Sequence, residues 1–179
     1  GLLAPNAQAT GTAHFGGVYS DVPVVYSVEA EPLGTGGGLI AAARLIEGEA
    51  PFLLLNGDTY FEVELDTLRS AHRGAHAEWT LSLVPATTLR RGSPVTTAPD
   101  GRVTSMDAAG RESARLVNGG VYMVSQEGLS HPSQRAASRL SLEAELLPAL
   151  IRAGRGVYGM QSAGRFIDIG TPEEYAAVQ

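Results

Sequence analysis

A chain of 179 residues, 44% apolar and 18% charged, is long enough for one domain with a buried core and too apolar for a disordered segment. Its net charge of −6 argues against a general phosphate-backbone binder, which needs clustered Lys and Arg, but not against a nucleotide site built from backbone amides and a cation. Without cysteine there are no disulfides or thiolate metal sites; no apolar run reaches membrane-spanning length and no signal peptide is visible, so a reducing cytoplasm is the default setting.

The chain begins with Gly1 rather than Met and reads as a piece of something longer. Gly1–Gly17, rich in Ala, Gly and Thr, predicts a loop or poor helix, and VPVVYSV at Val22–Val28 predicts a strand. A loop with two acids and four glycines follows, and then LIAAARLI at Leu39–Ile46, a run of good helix formers. The continuous apolar stretch Phe52–Asn56 predicts a central strand covered on both faces, closing a β-loop-α-β unit of the kind that makes parallel sheets. Leu65–His76 suits a surface helix, with Leu65, Leu68, Ala71 and Ala75 on its apolar side. Trp79–Val84 predicts a strand stopped by Pro85, Thr87–Pro99 a loop with a short edge strand, and Gly101–Met106 a hairpin return. Ala108–Arg115 reads as a connection, and Val117–Val124 as a strand with two glycines near its start. Ser141 can cap a helix whose first turn carries Glu143 and Glu145, whose apolar stripe is Leu142, Leu146, Leu147, Leu150 and Ile151, and which Pro148 should kink. Short strands at Val157–Gln161 and Arg165–Ile169 and a helix at Thr171–Val178 complete the chain, with no repeat and no linker.

Five features could carry chemistry, one of them Glu143, for which an acid stabilising a helix start is a sufficient account without any function. In PFLLLNGDT, Asp58 follows a strand at the end where open α/β sheets place ligands; a carboxylate that merely caps the turn is the plain alternative. RFIDIGT repeats the arrangement with Asp168, and two aspartates meeting at one sheet edge would supply hard oxygen ligands suited to Mg²⁺. Gly34–Gly38, GTGGG, either lets a ligand approach backbone amides at a helix start or forms a tight loop with unusual dihedrals. Asn118-Gly119-Gly120 marks either close approach of a ligand or a β-bulge. Gly36, Gly38 and Ala41 also fit a dinucleotide-binding pattern with Asp58 at a ribose-binding offset, although Glu29–Leu33 separates these glycines from the preceding strand. His72 and His76 have the spacing of a zinc helix but neither its glutamate nor a third ligand, and are expected to be solvated surface residues.

Together EPLGTGG, FLLLNGDT, VNGGVY, SLEAELLPAL and FIDIGTPEEY, in that order from about Phe15 to the end, resemble the sugar-1-phosphate nucleotidyltransferases. The similarity is strongest to the heptose 1-phosphate and mannose-1-phosphate guanylyltransferases. The resemblance implies an α/β fold of the nucleotide-diphospho-sugar transferase type: a Rossmann-like sandwich with a mostly parallel central sheet, here one domain spanning residues 1–179. It implies transfer of NMP, GMP by this similarity, from an NTP to a sugar 1-phosphate, with Mg²⁺ as cofactor and no nucleic-acid or membrane partner. Residue by residue, it implies that Gly34, Thr35, Gly36 and Gly37 contact the nucleotide, and that Asp58 and Asp168 are the catalytic metal ligands. Asn118, Gly120 and Glu143 would contact the sugar phosphate. Family members begin with a strand and an Arg-bearing GGxGTRLRP-like loop and then a PKP segment; neither is matched here, so the domain is expected to be N-terminally incomplete. Ala108 and Ala109 stand where relatives carry a Glu-Lys pair, with Arg111 or Arg115 as substitute charges of different geometry. A sugar-nucleotide-binding module without turnover is the reading from another functional class.

Overall fold

The longest strand, Leu116–Val124 (β8), is the one around which the sheet assembles, because its alternating side chains enter two different apolar clusters. Tyr122 and Val124 belong to one, Val121 and Met123 to the other. The structure is a computed structural model that describes residues 16–87, 92–106, 115–129 and 139–168. The expectations for residues 1–15, for Ala108, Ala109 and Arg111, and for a helix at Thr171–Val178 lie outside the described residues.

The elements are β1 (Val18–Tyr19), β2 (Val22–Pro23), α1 (Gly34–Ala43), β3 (Phe52–Leu55), β4 (Thr59–Phe61), α2 (Leu65–Gly74), β5 (Trp79–Pro85), β6 (Pro94–Thr97) and β7 (Val103–Ser105). After β8 come a 3₁₀ turn (Gln126–Leu129), a π-helical turn (Leu142–Leu146), α3 (Leu147–Arg152), β9 (Val157–Gln161) and β10 (Phe166–Asp168). In the main sheet β8 pairs antiparallel with β5 along one side and with β3 and β6 along the other; β7 continues from β6 and β9 pairs parallel with β5. It follows that β3, β5, β6 and β9 run one way and β7 and β8 the other. The α/β sandwich is therefore as the sequence suggests, but its sheet is mixed: β8, threaded between same-sense neighbours, makes most hydrogen-bonded pairs antiparallel.

The first cluster lies between one face of the sheet and the elements α1, π turn and α3: Leu39, Leu142, Leu146, Leu147 and Leu150 meet Trp79, Leu81 and Tyr122. The second lies on the other face, where Leu68 of α2 and Phe61 of β4 meet Val84, Val117, Val121 and Met123. Phe166 of β10 packs edge-on to Phe61 with ring centroids 5.5 Å apart.

Three expectations need correction. β3 alternates in exposure: Phe52 and Leu54 pack on the first cluster while Leu53 and Leu55 remain 40% and 60% exposed, and β8 is its hydrogen-bonded neighbour among the described residues. An apolar run without polar alternation suggests two-sided burial, yet here only one face of β3 is covered. The predicted strand Val22–Val28 is reduced to β2, paired with β1 in a separate ribbon, so the β-loop-α-β unit does not form among the described residues. The edge strand expected within Thr87–Pro99 is β6, which is flanked on both sides, by β8 and β7.

Candidate active site

The carboxyl end of β3 is where two of the predicted stretches, NGD and NGG, meet. The Asn56 amide donates to the Gly120 carbonyl at 2.8 Å, joining the NGD turn to β8. Opposite, β8 carries a bulge: Leu81 faces Tyr122 and Leu83 faces Asn118, so four steps on β8 oppose two on β5. The glycines occupy that bulge. A Cβ at position 119 would stand 2.6 Å from the Phe61 ring, and Gly120, at φ +75°, lies against the Asn56 side chain. Bulge formation and close approach are thus both realised, the close neighbours being protein groups.

The bulge aims Asn118 and Tyr122 at Glu143. Asn118 Nδ2 donates to Glu143 Oε1 at 2.7 Å and to the Tyr122 hydroxyl at 2.5 Å, and the Tyr122 hydroxyl donates to Glu143 Oε1 at 3.3 Å. The Ser93 hydroxyl donates to Glu143 Oε2, and the Gly120 amide donates to Asn118 Oδ1 at 3.3 Å. Asn118 and Tyr122 are buried whereas Glu143 and Ser93 are half-buried, so the carboxylate forms the open end of a buried polar chain. Burial, and then the neighbouring Glu143 charge, push the Tyr122 phenol far above its ordinary range, keeping it a protonated donor.

Glu143 owes its position to an irregular helix start. The Ser141 side chain caps it by accepting from the Ala144 amide at 3.1 Å, and Glu145 reaches back to the Ser141 amide at 2.8 Å. The turn is then one residue wider than an α-helix, with the Leu146 amide on the Ser141 carbonyl and the Leu147 amide on the Leu142 carbonyl. Pro148 follows with no N–H to offer and a ring that crowds the preceding turn, which accounts for the widening.

The GTGGG stretch is the first half of α1 rather than a loop ahead of it. Each glycine in a helix costs about 0.5–1 kcal/mol relative to alanine, so a reason is needed, and close packing provides it. A Cβ at Gly34, which has φ +73°, would lie 2.6 Å from the Leu140 carbonyl oxygen, and one at Gly36 3.1 Å from it. The Gly36 and Gly37 amides donate to that carbonyl at 2.8 and 3.3 Å, and Thr35 Oγ1 accepts from the Leu142 amide at 2.9 Å. The glycines therefore seat α1 against Leu140, shortly before Glu143 in the chain. The Leu33 amide is taken by Glu29 at 2.9 Å, so this acid belongs to the helix start. The dinucleotide alternative loses its strand, because the backbone from 24 to 33 is not in a sheet.

Asp58 is exposed and accepts a 3.3 Å hydrogen bond from the Thr59 hydroxyl. β10 pairs antiparallel with β4 with Asp168 opposite Thr59, so the Asp168 position, 110 residues on from Asp58 in sequence, faces the residue that follows Asp58 at the end of the turn. This ribbon packs on the second cluster, whereas Glu143 arrives from the first-cluster side. Asp58 and the Asp168 position thus adjoin the second-cluster face of the sheet and Glu143 the first. No group of three or more His, Asp or Glu poised for a metal occurs among the described residues.

His72 is not a solvated surface residue. It is 2% exposed, with Nδ1 2.9 Å from the Thr80 hydroxyl and Nε2 2.8 Å from the Ser125 hydroxyl, and burial holds its pKa below the ordinary imidazole value. Because Ser125 donates onward to the Ala77 carbonyl, a neutral imidazole protonated at Nε2 satisfies every partner. His76 is exposed, as expected. Sequence reasoning missed Asn56, Ser93 and Tyr122 as members of the site. The only signal for Tyr122 was its place four residues after Asn118, an even spacing that keeps both side chains on one face of a strand.

A family model described as nucleotidyl transferase matches residues 4–179. The chain belongs to the nucleotidyl transferase family. It is 34% identical to the D-glycero-alpha-D-manno-heptose 1-phosphate guanylyltransferase of Aneurinibacillus thermoaerophilus, over 93% of this chain and 70% of that protein. It is 30% identical to the mannose-1-phosphate guanylyltransferase of Mycobacterium tuberculosis, over 91% of this chain but 45% of that protein. Among solved structures, HddC from Yersinia pseudotuberculosis complexed with GMP-PN superposes with a TM-score of 0.74 at 25% identity, covering 97% of this chain and 72% of that one. The Rossmann-like sandwich and the enzyme class expected from the sequence motifs are those of this family. No helix among the described residues is long and apolar enough to cross a membrane.

Proposed function

We propose that the full-length protein is a sugar-1-phosphate guanylyltransferase acting on a heptose or mannose 1-phosphate. A phosphate oxygen of the sugar 1-phosphate attacks the α-phosphorus of GTP, the bond from that phosphorus to the bridging oxygen breaks, and pyrophosphate leaves with the GDP-sugar as the other product. The observation that carries this reading is the β4–β10 register, which brings the Asp168 position alongside Thr59 and Asp58 at the end of the sheet where Asn118, Gly120 and Glu143 also meet. The two guanylyltransferase relatives support the choice of base and sugar.

An aspartate in the turn before β4 and one at the facing position of β10 fit a hard divalent cation whose remaining positions go to phosphate oxygens and water, and the Asp58 side chain is exposed enough to serve. Mg²⁺ held by Asp58 and Asp168 would neutralise charge on the reacting phosphates. The protein's own share is positioning. Glu143 takes a sugar hydroxyl with Asn118 bonded behind it, and the Gly120 backbone lies against the sugar phosphate. Gly34–Gly37 meet the nucleotide through the rim of α1, where Thr35 is exposed and Gly34 half-buried, since Leu140 engages the Gly36 and Gly37 amides. A cytoplasmic setting goes with substrates of this kind.

The test is pyrophosphate release by the full-length protein with GTP, Mg²⁺ and heptose or mannose 1-phosphate. Absence of release with every NTP and sugar 1-phosphate pair would overturn the catalytic reading. Asp58→Asn is expected to abolish Mg²⁺-dependent turnover; an unchanged rate would leave Asp58 as a turn cap only.

A further inference from the structure

We infer that Tyr122 and Ser93 are positioning residues that hold the two oxygens of Glu143 in place and leave it room for a single sugar hydroxyl. The inference deepens the proposed function and rests on Glu143 being a sugar contact. Tyr122 is 0% exposed, so it reaches no substrate directly and acts only through the groups around its hydroxyl. That hydroxyl is engaged both ways: it accepts from Asn118 Nδ2 at 2.5 Å and donates to Glu143 Oε1 at 3.3 Å.

The lone-pair count turns this arrangement into specificity. An ionised carboxylate has about four acceptor positions. Oε1 receives two donors, from Asn118 and Tyr122, and Oε2 receives one from Ser93. Counting donors among the described residues, one position remains, on the Oε2 side, and Ser93 is half-buried at the same rim where a ligand would enter. A freely rotating glutamate would accept a hydroxyl in many orientations; one held at both oxygens accepts it in few. The Tyr122 ring itself is fixed by edge-on packing on Trp79 with centroids 6.3 Å apart, so the donor cannot follow Glu143 if the carboxylate swings away.

The experiment is steady-state kinetics of the full-length protein with Tyr122→Phe, which deletes the donor and keeps the ring. The expected result is a KM for the sugar 1-phosphate raised roughly threefold to tenfold, the range of one ordinary hydrogen bond, with the KM for GTP unchanged. In a Glu143→Gln background the same substitution should add little, because the group it positions is already altered. Ser93→Ala, at the rim and outside the apolar core, should give the same split and serves as the second variant if Tyr122→Phe does not fold. Wild-type turnover with both variants leaving the sugar KM unchanged, or raising both KM values alike, would overturn the inference while leaving the proposed reaction standing. Absence of wild-type turnover would instead overturn the reaction.

Discussion

Gly120 joins the two halves of the site, and replacing it with alanine tests that geometry quantitatively. Its φ of +75° lies in the left-handed region, where a side chain costs about 1–2 kcal/mol. The added Cβ would also stand 2.8 Å from Asn56 Nδ2 and 3.0 Å from Asn56 Cγ, so the Asn56 side chain has to move. Making room for an extra methyl at so close a contact costs about 1–3 kcal/mol. The sum is about 2–5 kcal/mol, which should lower the urea midpoint by on the order of 1–2 M for a domain of this size. Gly154→Ala is the matched control: Gly154 has φ +71°, but a Cβ there meets nothing within 4 Å, so only the backbone cost applies. Equilibrium urea unfolding of both variants, followed by circular dichroism, measures the difference. If Gly120→Ala costs no more than Gly154→Ala, the Asn56 contact contributes nothing to the fold and the junction described here is wrong.

Two further outcomes concern groups away from the site. Because burial depresses the His72 pKa, the unfolded chain binds the proton more readily; stability should be complete above the unfolded value near 6.5 and fall as the pH drops below it towards the folded pKa. His72→Gln should remove this part of the slope in melting temperature between pH 8 and 5, and an unchanged slope would refute the assignment. Arg155→Ala should destabilise by about 1–2 kcal/mol, between the values for surface and buried pairs, because its partner Glu78 is only 19% exposed and Arg155 also donates to the Glu127 carbonyl at 2.8 Å. Urea unfolding at low and high salt checks it: the wild-type midpoint should move towards the variant's as salt rises, and a loss below a few tenths of a kcal/mol would refute it.

Much of the fold was readable because it follows from local pattern. The strands at Trp79, Val117 and Val157, the Ser141 cap and the leucine stripe of the following helix all appear as the residue periodicities predict, with Leu142, Leu146, Leu147 and Leu150 buried. What was not readable depends on partners distant in sequence. FLLL at β3 contains no polar residue to reveal that one of its faces is open. The polarity of His72 gave no hint that Thr80 and Ser125, 8 and 53 residues away, satisfy both ring nitrogens. Gly34–Gly38 suggested a loop by composition; the cost of glycine in a helix is offset only once Leu140 is seen to approach within contact distance.

The same reasoning explains why Asn118, Tyr122 and Glu143 converge. Each stands on a departure from regular geometry: Asn118 and Tyr122 at the two ends of the β8 bulge, Glu143 in a π turn ahead of Pro148. In a regular strand residues 118 and 122 share a face but stand about 13 Å apart, too far for their side chains to hydrogen-bond each other. The bulge shortens that separation, and Asn118 Nδ2 reaches the Tyr122 hydroxyl at 2.5 Å. The wide turn changes the angle at which Glu143 leaves its helix, while the Ser141 cap and the buried leucines keep the helix in place. Two irregular elements that each sacrifice regular hydrogen bonding thus complete one polar network between them. That network depends on Gly119 and Gly120 at the bulge and on Pro148 beyond the turn, which is why substitutions at these three positions should disturb Glu143 without touching it.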